Sequence, residues 1–216
     1  MVYSPFVRRL TVAGFLCGAA LPAHAQNRTE FTPFVGSYYH TTHISDGSSG
    51  PFAGNKFTFD QTNAIAVGAR FTLPIGDRIG IEGEFAYAPS GVRFTEQDAL
   101  GSGVDGGLAA DGYLLFGSLR AVLSPRRSNL FFLLGPAVVK RGGDDAWGGF
   151  DSGDLVDFGG VGGFGIRANV TPRFRLNFTA ETYLYSLDPD GSGGNDSKFQ
   201  ADVLVTVGVP ISFGAR

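Results

Sequence analysis

From Lys198 to Phe213 every odd position is apolar: Phe199, Ala201, Val203, Val205, Val207, Val209, Ile211 and Phe213. The even positions (Lys198, Gln200, Asp202, Leu204, Thr206, Gly208, Pro210, Ser212) are mostly polar or small. A period of two over this length gives a strand with one wholly apolar face. Strands in soluble domains usually run about 5–6 residues, whereas a membrane-crossing strand needs ~9–11. The pattern predicts an all-β chain, an eight-stranded antiparallel up-and-down transmembrane barrel, with this segment as its closing strand.

Seven more strands are predicted, near 29–40, 62–73, 78–88, 108–123, 129–140, 155–170 and 173–186. The connections alternate in length. Residues 74–77, 124–128 and 171–172 are short, while 41–61, 89–107, 141–154 and 187–197 are long and rich in Gly, Ser, Asp and Asn. Short turns at one rim and long loops at the other describe an outer-membrane barrel, with an even strand count placing both ends at the periplasmic rim. Two faces recur along the chain. Phe174, Leu176, Phe178, Ala180 and Leu184 oppose Arg175, Asn177, Thr179, Glu181 and Tyr183. Ile79, Ile81, Phe85 and Tyr87 oppose Glu82 and Glu84; Ile65, Val67, Ala69, Phe71 and Leu73 oppose Arg70; Val156, Phe158, Phe164, Ile166 and Val170 oppose Asp157 and Arg167. The first and fifth strands are apolar on both faces, so periodicity does not orient them. Tyr39, Phe71, Tyr87, Phe174, Tyr185, Phe199 and Phe213, near strand ends, are candidates for the two interfacial aromatic girdles.

The first 25 residues read as a signal peptide: Arg8-Arg9, a short apolar run from Leu10 to Leu21, then Ala23-His24-Ala25 as a small-x-small cleavage site. The barrel domain is then 26–216. The run is too short for a spanning helix, and Leu16 before Cys17 does not fit a lipobox. With no cysteine after residue 25, the mature part offers no disulfide framework and no thiol chemistry. No cofactor is implied. A net charge of −3 argues against a nucleic-acid partner. The 33 glycines and 20 phenylalanines suit a closed sheet with an aromatic surface and do not suit a helical protein.

A soluble lipocalin-type barrel would invert the faces, with apolar inside and polar outside. That outside would hold almost no lysine, since only Lys140 and Lys198 follow Lys56, and soluble surfaces carry many more charges. The membrane barrel is favoured.

Thr206-Val207-Gly208-Val209-Pro210-Ile211-Ser212-Phe213 resembles the C-terminal β-signal of bacterial outer-membrane proteins, with Thr206, Gly208, Ile211 and Phe213 at its defining positions. It departs from that pattern in that Gly214-Ala215-Arg216 follows the aromatic residue. The glycine-rich stretch from Gly159 to Arg167, continuing through Thr171-Pro172-Arg173 to Tyr185, is similar to the small outer-membrane barrel-domain family of OmpA- and OmpX-like barrels. The resemblance spans nearly the whole mature chain in rhythm and is specific in the last third. It implies a location in the outer membrane among lipid and lipopolysaccharide. It also implies handling by periplasmic chaperones and the barrel-assembly machinery, a monomer, and no shared catalytic residues. Its members do different things, so the fold does not give the function.

By parity Arg70, Arg120, Arg167 and Arg175 share the interior with Glu82, Glu84, Asp157, Glu181 and Asp202. An eight-stranded lumen is just wide enough for side chains to fill, and unpaired buried charge is costly. These groups therefore read as a salt-bridged plug, with Arg70 and Glu82 expected to pair across the 74–77 turn. A gated ion path whose pairs exchange partners is the sharper alternative. Glu82 and Glu84 simply repeat one strand face and do not suggest acid–base catalysis.

His40 and His43 are placed at the start of the first long loop, near Ser45 and Asp46, where a lipid-modifying site is conceivable but lacks a motif. The acidic run from Asp188 to Asp196 fails as a calcium loop because its twelfth position is Phe199. Asp144-Asp145 is a similar acidic tip, and Trp147 beside it reads as an interface anchor. The sequence therefore predicts a non-enzymatic outer-membrane barrel with a structural or surface-interaction role. Small-solute or ion passage, including apolar molecules leaving sideways between strands, ranks second. Lipid modification ranks third.

Overall fold

The computed structural model describes residues 29–42, 45–47, 56–97, 103–124, 129–143, 155–171, 174–187 and 198–213. The predicted signal peptide, His43, the acidic run 188–196, Asp144-Asp145 and Trp147 lie outside these residues. Thirteen strand segments follow in chain order: β1 (Thr29–His40), β2 (Ser45–Gly47), β3 (Lys56–Gln61), β4 (Ala64–Pro74), β5 (Ile79–Ala88), β6 (Val92–Gln97), β7 (Gly103–Ala110), β8 (Gly112–Leu123), β9 (Leu130–Gly143), β10 (Leu155–Thr171), β11 (Phe174–Leu187), β12 (Lys198–Gly208) and β13 (Ile211–Phe213).

The large sheet runs β12-β11-β10-β9-β8-β5-β4-β1-β13, and β12 also pairs β1, which closes it. All of its pairings are antiparallel. β12 and β13 are two parts of one wall strand. Both pair β1, Val35↔Val207 above and Phe31↔Ile211 below. Pro210 cannot donate to a ladder and interrupts the run, and Val209 N–H donates instead to Pro33 O at 3.0 Å. The barrel therefore has eight walls, one for each predicted strand.

The two faces sort as the charges require. Outward-facing side chains are apolar and exposed, from Ile65 and Phe85 to Leu134 (70% exposed), Phe158 (79%) and Phe199 (65%). Arg70, Glu84, Arg120, Glu181 and Asp202 are buried inside. A soluble barrel has the reverse arrangement. The two strands left unoriented by periodicity are now placed. Phe34 and Tyr38 of β1, and Phe131, Leu133, Ala137 and Val139 of β9, face the lumen. Val35, Tyr39, Phe132 and Leu134 face outward. Tyr185, expected in the girdle, is 3% exposed and points inward with Tyr183, because both are odd positions on β11.

The expected long connections 41–61 and 89–107 contain strands. β2, β3, β6 and β7 form a second sheet in that order. It continues one side of the barrel wall. Ala88↔Leu114 in the barrel and Val92↔Ala110 beyond the rim keep the same register. Val67↔Tyr87 leads to Gln61↔Val92 with a shift of one residue. Backbone bonds bridge the break, Ser90 N–H to Gly112 O at 3.0 Å and Thr62 N–H to Gly91 O at 2.8 Å. The local signals are short, as in Phe57-Thr58-Phe59 or Val92-Arg93-Phe94, and Gly, Ser and Pro surround them. The existing ladder below templates these segments, and local preference alone does not.

The glycines serve close cross-strand packing. Phe34 faces Gly68, Tyr113 faces Gly142, Phe131 faces Gly165 and Tyr185 faces Gly159 as register partners. A Cβ on Gly68 would sit 2.4 Å from Phe34 Cζ, and one on Gly165 would sit 2.2 Å from Phe131 Cζ. The rings of Phe34, Tyr113 and Phe131 thus lie across positions where no side chain fits, the device that protects backbone at barrel glycines, while at Gly159 the backbone of Leu184 and the Cβ of Tyr185 fill the space.

Gly165→Val is expected to destabilise the refolded barrel by about 1–3 kcal/mol through overpacking. Gly162→Ala faces open space, with its nearest neighbour, Leu134 Cδ1, at 3.6 Å, and should stay within about 0.5 kcal/mol of the parent. Urea titration in lipid vesicles checks both. Leu134→Arg places a charge on the exposed belt at mid-strand and should cost about 2–4 kcal/mol in the same assay.

Candidate functional site: the charged lumen

The interior is layered. At its middle, Arg120 of β8 and Arg70 of β4 lie among Glu82 and Glu84 of β5 and Glu181 of β11. Arg120 donates from Nη1 to Glu181 Oε2 at 2.5 Å. Its Nη2 donates to Glu82 Oε1 at 2.8 Å and to Glu84 Oε2 at 2.6 Å. Arg70 donates from Nε to Glu84 Oε2 at 2.5 Å and from Nη2 to Glu181 Oε1 at 2.6 Å and Thr206 Oγ1 at 2.8 Å. Its Nη1 reaches Thr179 Oγ1 at 3.1 Å, and its guanidinium lies 4.2 Å over the Phe34 ring. Thr72 donates to Glu82 Oε2 at 2.5 Å, and the Tyr183 hydroxyl donates to Glu84 Oε1. Every oxygen of the three carboxylates therefore accepts a hydrogen bond. This satisfaction makes buried charge tolerable, and removing one partner would leave the others exposed to the full desolvation cost.

The expected Arg70–Glu82 pair does not form. Pro74 pairs Gly80, so the hairpin register sets Arg70 opposite Glu84 and Thr72 opposite Glu82. The turn is longer than 74–77, and the partner moves by two residues along the same face. Arg120 stands opposite Glu82 on the other flank of β5 and takes it instead.

A second charged layer lies toward the long-loop rim. Arg141 Nη1 donates to Asp157 Oδ2 at 2.7 Å, and Nη2 donates to the Tyr185 hydroxyl and stands 3.9 Å from Asp202 Oδ2. The Tyr185 hydroxyl donates to Asp202, and His40 Nδ1 is 2.7 Å from Asp202 Oδ1. Arg141 and His40 were not expected here. β9 extends past residue 140, so Arg141 belongs to the wall and not to a loop. His40 is the last residue of β1, and its even position turns it inward with Tyr38. Extending the two periods by one repeat identifies both residues. His40 is thereby removed from any surface site with Ser45 and Asp46. Between the layers Phe116 stacks against Tyr38 at 5.6 Å and Tyr183 at 4.8 Å, with Leu114, Val139, Val161 and Leu204 filling the remaining space.

Arg167 and Arg175 belong to neither layer. Both line the short-turn mouth, where Arg175 pairs Glu30 and bonds Ser212, and Arg167 bonds Ser124. Of the C-terminal signal positions, Thr206 faces the lumen and serves Arg70. Gly208 allows close approach of β1, since a Cβ there would meet Thr32 Cγ2 at 2.7 Å. Ile211 and Phe213 are exposed on the outer face.

No family model matches the chain, and no curated protein matches it. Solved structures do. The outer membrane protein AlkL, determined in lipid bilayers, aligns over 91% of this chain and 96% of its own, with 14% identity and a TM-score of 0.55. OprG from Pseudomonas aeruginosa aligns over 87% and 97% with 18% identity and a TM-score of 0.49. Ail, the attachment invasion locus protein of Yersinia pestis, in complex with the heparin analogue sucrose octasulfate, aligns over 86% and 100% with 16% identity and a TM-score of 0.43. The likeness to AlkL and the apolar outer belt agree on the fold: a small, closed outer-membrane β-barrel. The chain is an integral outer-membrane barrel protein, and its particular role is a separate question.

Arg120→Met leaves Glu82, Glu84 and Glu181 with one guanidinium. The expected loss is about 3–5 kcal/mol of stability, read as a lower urea midpoint and loss of the heat-modifiable gel band. Arg120→Met combined with Glu181→Leu should recover part of it.

Proposed function

We propose that this protein is a closed barrel that anchors an extracellular sheet at the cell surface, with a structural or surface-interaction role and no catalytic one. The observation that carries this reading is the middle layer of the lumen. Two guanidiniums and three carboxylates from β4, β5, β8 and β11 meet across the bore, with an aromatic layer stacked above them. A lumen filled in this way leaves no water column for solutes.

Above the rim, β2, β3, β6 and β7 extend the wall on the β1-β4-β5-β8 side. A paired sheet holds its surface in place at lower entropic cost than a free loop of the same length, which suits recognition at the cell surface. Lipopolysaccharide is the surrounding partner on this reading. Periplasmic chaperones and the barrel-assembly machinery act earlier, during biogenesis, on the β-signal positions. The barrel acts as a monomer.

Ion passage is the second reading. The feature that favours it is sharing: Glu84 Oε2 accepts from both Arg70 and Arg120, so the pairs could exchange partners. Planar-bilayer recording of the refolded mature protein separates the two. A silent bilayer from a sample with a correctly shifted gel band is the expected result. Steady discrete openings altered by Glu84→Gln would replace the anchor reading with a small channel.

A further inference from the structure

The short-turn mouth opens into a cavity of about 1240 Å³. In an outer-membrane barrel this rim faces the periplasm. The middle charged layer closes the bore above it, so the cavity is blind and a ligand must enter and leave from the same side. Among the described residues the charged side chains lining it are Glu30, Asp77, Arg78, Arg167 and Arg175, which leaves one positive charge in excess.

Arg167 departs from the rule that the other inward arginines obey. Arg70, Arg120, Arg141 and Arg175 each contact a carboxylate. Arg167 has no carboxylate partner among the described residues. Its Nη1 donates to Ser124 Oγ at 3.0 Å, and its guanidinium rests 4.8 Å over the Phe131 ring. Its Nε is buried with no acceptor. The guanidinium is thus fixed on one side by a hydroxyl and underneath by a ring, while among the described residues its Nε–Nη2 edge has no hydrogen-bond partner. That edge is the fork that carboxylates and phosphates accept from in bidentate fashion. Phe131 in turn is held by lying across Gly165. Arg175 does not compete for the role, because Glu30 and Ser212 already occupy it.

We propose that the periplasmic vestibule is a binding site for a carboxylate- or phosphate-bearing anion, with Arg167 as its recognition residue. The anion could be a free small molecule or a carboxylate carried on the cell-wall polymer. The chemistry is the same, and only the source differs.

The full mature chain in lipid nanodiscs is titrated with glutarate and, separately, with inorganic phosphate. Calorimetry and the side-chain Nε–H NMR signals of arginine report binding. Saturable binding is expected, with the signal assigned to Arg167 shifting most. Arg167→Gln should weaken it roughly tenfold or more, the loss expected when a charge-assisted hydrogen bond goes. Arg78→Gln, at the exposed edge of the mouth, should change it less than about twofold. Arg167→Lys keeps the charge without the fork and keeps the proposal testable if Arg167→Gln does not fold. It should refold with the normal heat-modifiable gel shift and bind glutarate more weakly than the parent. Co-sedimentation with purified peptidoglycan sacculi identifies the source. Retention that is lost in Arg167→Lys supports a polymer-borne carboxylate, and saturable binding of the small anions without retention supports a free one. Absence of saturable binding to either anion, or equal binding by Arg167→Lys and the parent, overturns the proposal.

Discussion

Closure of the backbone ladder between β1 and β12 is the constraint on which the rest depends. In hydrocarbon no N–H or C=O can be left to water, so a sheet must have no edge. Seven register pairs from Phe34↔Gly208 to His40↔Asp202 remove that edge. Once eight walls close, the middle of the bore is too narrow to hold bulk water yet must accept every inward side chain. Charge inside must then be paired, and space must be made for the guanidiniums that do the pairing. The ion-pair layers and the glycines with their covering rings both follow from closure.

The parity of each strand was legible in the sequence, because lipid on one side and a packed bore on the other impose opposite chemistry on alternate residues. The long run from Lys198 shows it most plainly. Register was less legible. Arg70 pairs Glu84 and not Glu82 because the hairpin turn is longer than its Pro-Ile-Gly-Asp signal, and a slip of two preserves the face pattern. The ends of strands were the least legible. Arg141 belongs to the wall but stands next to polar, glycine-rich sequence, and His40, at the predicted end of the first strand, groups in the sequence with the loop that follows. The second sheet has the same cause: β3 and β6 are short and weakly patterned, and they form where a ladder already waits below them.

The two charged layers differ in what holds them. The middle layer draws its charges from four wall strands and is completed by four hydroxyl groups, Thr72, Thr179, Thr206 and Tyr183. The upper layer depends on one guanidinium, Arg141, shared between Asp157 and Tyr185, with His40 placed against Asp202. Loss of Arg141 would therefore remove the one guanidinium that Asp157 and Tyr185 share, whereas the middle layer retains one guanidinium after losing the other.

The wall that rises beyond the rim does so over β1, β4, β5 and β8, and the described residues show no matching extension over β9 to β12. Among the described residues, the barrel therefore rises higher on the β1-β4-β5-β8 side. In a membrane crowded with other barrels, two copies meeting on that side would bring their raised sheets together as well as their lipid-facing belts. The direction in which a neighbour approaches thus becomes a property encoded by the fold.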